Sequence, residues 1–134
     1  MVAYSAAGNQ YRQQSAMTAS PGELTLMLYD GCIRNLKRSK LYIETKDFLK
    51  ANDMLQKAQG IICELMRSLD MNYPISKQLM QLYDFLMDAL VWANVKKDTD
   101  KIDEAVGLIT ELRDTWQQAV LIHRRQSAVA TAIG

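Results

Sequence analysis

Few residues in this 134-residue chain could do chemistry, and their spacing brings none of them together. A di-iron centre in a helical bundle takes Glu and His from facing helices, including Glu-x-x-His pairs. The single histidine is His123, and Val120 stands three residues before it. A phosphotransfer histidine is exposed in mid-helix and is usually followed by Lys-Gly. His123 instead precedes Arg124 and Arg125 near a helix end, on an apolar seam. Asp84 and Asp88, one turn apart, could act as an acid and a base, but no other polar group converges on them, so they read as a solvated edge. Cys32 and Cys63 form no CxxC and fall in helical segments, the pattern of two reduced, buried thiols in a cytosolic protein. No catalytic residue, metal ligand set or cofactor is expected, and the chain does not read as an enzyme.

Composition narrows the classes further. Sixteen basic residues face 15 acidic ones, a formal net charge of +1, which gives no electrostatic excess for tight nucleic-acid binding. The basic run Arg34, Lys37, Arg38 and Lys40 has no interleaved aromatic platform; it suits the negative end of a helix dipole, a solvated face or a contact for an acidic partner. No apolar run approaches the ~18–20 residues of a membrane span. Residues 1–14 lack the pattern of a secretory signal.

The elements that position these residues are helices. Ser20-Pro21-Gly22-Glu23 combines an N-cap, a proline suited to the first helical position and a capping-box glutamate, so helix one should run from Pro21 to Glu44. Helix two starts near Asp47, with the seam Phe48, Ala51, Leu55, Ala58, Ile62, Leu65 and Leu69. Asp70 to Pro74 breaks the chain. Helix three, from about Ser76 to Lys96, has the core positions Leu79, Leu82, Leu86, Ala89 and Ala93, with Phe85 and Trp92 widening the core. Asp98 or Thr99 caps helix four, whose seam is Ile102, Ala105, Ile109, Leu112, Trp116, Ala119 and His123. Leu112 and Trp116 read as structural. Short links make neighbours antiparallel, so the fold class is all-α, an up-down four-helix bundle. The chain reads as one domain: residues 1–19 form a mobile or short-helical N-terminal arm, 20–126 the bundle, and Ser127–Gly134 a fraying tail.

One feature bears on function. Beyond its seam, helix three carries Met80, Tyr83, Phe85, Met87, Leu90, Val91, Trp92 and Val95, so it is apolar nearly all round and something must cover it. Helix one has two apolar stripes, and helix two adds Met54, Ile61 and Met66 outside its seam. These residues either pack internally, under the arm or in a symmetric dimer, or they line a groove for a partner helix. Eight methionines, with flexible side chains, favour an adaptable surface. Gly60, beside Ile61, leaves room for another backbone, although loose packing at a helix crossing explains it equally well.

Four sequence blocks carry a resemblance. They are Tyr11 with Ser15-Ala16-Met17-Thr18-Ala19-Ser20-Pro21-Gly22-Glu23-Leu24 and Leu26-Met27-Leu28-Tyr29-Asp30-Gly31; Lys57-Ala58-Gln59 with Ile61-Ile62 and Glu64-Leu65; Leu82-Tyr83-Asp84 with Ala93-Asn94 and Lys97-Asp98; and Glu111-Leu112-Arg113-Asp114-Thr115-Trp116. Together they resemble the FliS family of flagellin-export chaperones, over about residues 11–120. The resemblance implies a helical bundle in the bacterial cytosol that binds the disordered C-terminal segment of flagellin. Such binding prevents premature polymerisation and keeps the subunit competent for flagellar type III secretion, with the export apparatus as a further partner. It also implies that the N-terminal arm, including Tyr11, can occupy part of the groove until flagellin displaces it. Combined with the apolar surplus, this makes Met80, Tyr83, Met87, Leu90 and Asn94 the expected flagellin contacts, with Ile61, Met54 and Leu28 nearby. No nucleic acid and no membrane insertion are expected. A bundle whose apolar faces serve only homodimerisation or a scaffold role is the alternative.

Overall fold

The structure, a computed structural model, describes residues 21–133, with side chains from 22 to 126. The arm and Tyr11 lie outside the described residues. Four helices follow one another: α1 (Pro21–Glu44), α2 (Phe48–Ser68), α3 (Pro74–Lys96) and α4 (Thr99–Ile133), with no strand among the described residues. Each boundary has a local cause. The Asp47 side chain accepts from the Lys50 amide and caps α2. Asp98 Oδ1 accepts from the amides of Asp100 at 3.0 Å and Lys101 at 3.3 Å, satisfying two free donors at the start of α4. Pro74 occupies the first turn of α3, where a missing N–H costs nothing. Ser76 Oγ donates to the Asp70 carbonyl at 2.6 Å, which ties the α2–α3 turn together. Lys46 and Lys97 end α1 and α3 in the left-handed region, with φ of 62° and 51°.

In space α1 packs on α2 and α4, and α3 packs on α2 and α4, with the α1–α2 pairing the most extensive. The helices thus run up and down around a ring in chain order, and α1 and α3 occupy diagonal corners. The core holds Leu28, Tyr29, Cys32 and Leu36 of α1; Leu55, Ala58, Ile61, Ile62 and Leu65 of α2; Tyr83, Leu86, Leu90 and Ala93 of α3; and Ile102, Ala105 and Ile109 of α4. Tyr29 and Tyr83 meet inside it, hydroxyl to hydroxyl at 2.6 Å. Burial pushes the ionisation of both tyrosines up, Tyr83 the further. Along the α1–α4 seam, Arg113 pairs with Asp30, Arg124 with Glu23, and Trp116 Nε1 donates to the Gly22 carbonyl at 2.9 Å.

Several expectations change. Helix α3 is rotated about its axis, so Tyr83 and Leu90 enter the core, Leu82 is half-buried, and Phe85 and Trp92 face outward. The α4 seam is buried only at Ile102, Ala105 and Ile109; Leu112 and Trp116 are half-buried, and Ala119 and His123 are exposed. The expected tail is helical, since α4 continues through Ile133. Only one thiol is buried: Cys32 has no exposure, whereas Cys63 faces outward.

Candidate partner-binding surface

Six residues of α3 are buried: Ser76, Tyr83, Leu86, Ala89, Leu90 and Ala93. Opposite them lie the polar positions Gln81, Asp84 and Asp88, and large apolar side chains flank these on both sides. Phe85 is 48% exposed and Trp92 is 50% exposed, seven residues apart and therefore on one row of the helix. Val91 and Val95 are exposed beside them. Lys96 Nζ stands 5.6 Å from the Trp92 ring centroid, a cation–π contact that steadies the indole against its own helix. The result is an apolar ridge over the upper half of α3, interrupted by one carboxylate per turn.

The flanks of this ridge are fixed by one contact. The Asn94 amide donates to Asn52 Oδ1 at 2.8 Å, and Asn94 Oδ1 accepts from the Lys97 ammonium, so Asn94 marks the α2 side of α3. Burial lowers the pKa of that ammonium. Met80 and Met87 share the Asn94 row at seven-residue intervals and are half-buried, Met87 packing on the core. Phe85 and Trp92, two residues before Met87 and Asn94, lie ~200° round the helix, on the α4 side.

The expected contact residues therefore do not form one groove. Tyr83 is 2% exposed and Leu90 0%, while Ile61 and Leu28 also belong to the core. These four are corrected from surface to interior, because each fills the space between helices. Tyr83 in addition has its hydroxyl partner in Tyr29. Ile61 lies on the opposite flank of α2 from Asn52: a Cβ placed on Gly31 of α1 would stand 3.5 Å from its Cδ1. A Cβ at Gly31 would thus make only an ordinary contact, and its nearness shows that Ile61 faces α1. Met54 is half-buried and shares that α1 side by its seven-residue spacing from Ile61. Met80, Met87 and Asn94 do stand together, on the α2–α3 side.

Sequence reasoning placed Phe85 and Trp92 in a widened core, where the structure exposes them; Val91 and Val95, read as lying outside the seam, are exposed. A usable signal was present: Gln81, Asp84 and Asp88 must face solvent, and the core must lie opposite their mean direction, which admits Tyr83 and Leu90 and turns Phe85 and Trp92 out.

Among the described residues, no three His, Cys, Asp or Glu side chains are placed to hold a metal ion, and no helix is long and apolar enough to cross a membrane. The family profile described as "Flagellar protein FliS" matches residues 3–123, nearly the whole chain. The chain belongs to the FliS family. The flagellar secretion chaperone FliS of Bacillus subtilis is 43% identical over 115 residues, 86% of this chain and 86% of that protein. The flagellar secretion chaperone FliS of Salmonella typhimurium is 35% identical over 109 residues, covering 79% and 81%. A solved structure described as a flagellar chaperone from bacteria superposes with a TM-score of 0.72 at 24% identity, over 85% of this chain and 94% of that one, and supports the fold. This FliS protein is accordingly an export chaperone and not an enzyme.

Proposed function

We propose that this FliS protein binds the disordered C-terminal segment of flagellin in the cytosol and delivers it, unpolymerised, to the flagellar export apparatus. The observation that supports this reading is the exposed apolar surface of α3, with Phe85 and Trp92 on its α4 side, Val95 in line with Asp84 and Asp88, and Val91 toward the half-buried Met80, Met87 and Asn94 row on its α2 side. An amphipathic helix laid on such a ridge removes apolar surface from both partners. A few hundred Å² at ~25 cal/mol per Å² gives several kcal/mol gross for each patch. The ligand's ordering entropy opposes this, so several patches along a long segment are required. Tyr83 and Leu90 hold α3 from beneath, while Ile61 and Leu28 belong to the core away from this ridge. Met54 lies on the α1 side and serves a separate contact. Tyr11 belongs to the arm that flagellin displaces.

The test is titration of the full chain with a peptide of about forty C-terminal flagellin residues, a length suited to bundle-long contacts at ~1.5 Å per helical residue. Phe85→Asp with Trp92→Asp should abolish binding and leave the far-UV circular dichroism unchanged. Undiminished binding by that folded double variant refutes the ridge. A stable homodimer that ignores the peptide establishes self-association instead.

A further inference from the structure

The outward face of α3 carries charge as well as apolar side chains, and the charge sits where a partner has to cover it. Asp84 and Asp88 are exposed one turn apart, and neither joins an ion pair among the described residues. Phe85 and Trp92 lie on the α4 side of these carboxylates, Val91 on their α2 side, and Val95 in line with them. Asp88 comes three residues after Phe85 and four before Trp92, so it stands beside the aromatic row. A segment that covers both apolar flanks therefore lies across both carboxylates.

Nothing in the bundle neutralises them. Between Gln81 and Val95 the two aspartates are the only charged residues of α3. Lys77 stands seven residues before Asp84, ~10 Å along the axis at ~1.5 Å per residue. Lys96 stands eight residues after Asp88 and is held over the Trp92 ring, 5.6 Å from its centroid. The α2 flank offers the neutral side chains Asn52, Gln56 and Gln59. Lys101, two residues before the α1-facing Asp103 and so on the other flank of α4, is already paired with Glu104 at 3.3 Å. The cations of α3 thus stand at the ends of the apolar surface, and its middle is negative.

We infer that Asp84 and Asp88 fix the sign of the segment that docks on α3, which must carry Arg or Lys on the same face as its apolar anchors. This rests on the flagellin-binding role proposed above and adds the charge requirement of that site. A carboxylate stripped of water with no cation in exchange opposes binding, whereas one met by a guanidinium or ammonium gains a charge-assisted hydrogen bond. Residues one turn apart have Cβ atoms ~5–6 Å from each other, a span that one guanidinium bridges or that two basic residues one turn apart on the ligand match. The apolar surface supplies the affinity, and the carboxylates reject a segment that is acidic or wholly neutral at that point.

The experiment is a calorimetric titration of the full chain with the C-terminal flagellin peptide of about forty residues. A second peptide has every Arg replaced by citrulline and every Lys by Gln. Asp84→Asn with Asp88→Asn should weaken binding of the first peptide about ten-fold or more and leave the far-UV circular dichroism unchanged. The neutralised peptide should bind the parent chain about ten-fold less tightly, and the two losses should not add, because each removes the same pairing. Glu44→Gln with Asp100→Asn removes as much charge elsewhere and should leave affinity unchanged; an equal loss there would assign the effect to net charge and overturn the inference. Equal binding of both peptides, undiminished binding by the Asp84/Asp88 variant, or additive losses also overturn it. If Phe85→Asp with Trp92→Asp still abolishes binding in those cases, the docking surface stands and only its charge selection fails. Undiminished binding by that aromatic variant removes the surface and the selection together.

Discussion

Removing the Tyr83 hydroxyl separates a core role for that residue from a ligand-binding one. Tyr29 and Tyr83 are buried, 54 positions apart in sequence, and their hydroxyls are 2.6 Å from each other. Tyr83→Phe leaves the Tyr29 hydroxyl buried without that partner, a loss of ~1–3 kcal/mol, and Tyr29→Phe costs a similar amount. Replacing both removes donor and acceptor together, so the double variant should lie within about 1 kcal/mol of the parent. In a domain of this size each kcal/mol moves the midpoint by about 3–5 °C. Urea and thermal unfolding followed by circular dichroism at neutral pH supply the double-mutant cycle. The pH dependence gives a second reading. Folding raises both ionisations above the ordinary value of 10.0, so the unfolded chain releases these protons first. The stability they contribute is complete below pH 10 and falls as pH rises beyond it, and the double Phe variant should lose stability less steeply there. Additive single variants would show that the hydroxyls do not interact. Loss of flagellin-peptide binding by folded Tyr83→Phe would return Tyr83 to the ligand.

Other outcomes follow from burial. Leu90→Ala should cost ~2–5 kcal/mol by leaving a cavity, whereas Trp92→Ala, close by on the exposed side, should change stability by no more than about 0.5 kcal/mol, both read from urea midpoints. An aromatic disulfide reagent should titrate Cys63 at once in the native protein. Cys32, buried with its thiol pushed up to about 12, should react only on unfolding; two immediate equivalents would contradict its placement. Trp116→Phe removes the donor to the Gly22 carbonyl and should cost ~0.5–1.5 kcal/mol, with hydrogen exchange rising first at the start of α1.

The helices were legible because their ends are written in local chemistry: Pro21, Asp47, Pro74 and Asp98 each sit where a boundary occurs. Most of the α2 seam was legible for a related reason, since a helix with one apolar face admits one orientation: Ala51, Leu55, Ala58, Ile62 and Leu65 are buried, whereas at its two ends Phe48 is exposed and Leu69 half-buried. Helix α3 was harder to orient. Leu79-Leu82-Leu86-Ala89-Ala93 and Leu79-Tyr83-Leu86-Leu90-Ala93 are equally periodic, and only packing, including the meeting of Tyr83 with Tyr29, selects between them. That choice moved Tyr83 and Leu90 inward and Phe85 and Trp92 outward, so the existence of an apolar face on α3 was readable while its membership was not. The outer end of α4 misled for another reason: a three-four repeat specifies amphipathicity, and burial at Ala119 and His123 also requires a neighbour, which the described structure does not supply.

The ring of helices in chain order carries a consequence for how the protein comes into being. The α1–α2, α2–α3 and α3–α4 contacts each join successive hairpin arms, and only α4 on α1 closes a long loop. Such a chain has low contact order and is expected to fold rapidly, adding one arm at a time as it leaves the ribosome. The ties of Arg113 to Asp30, Trp116 to Gly22 and Arg124 to Glu23 all belong to that final closure. Weakening them should therefore hasten unfolding more than it slows assembly, so that these late contacts govern how long the folded bundle lasts and not how quickly it forms.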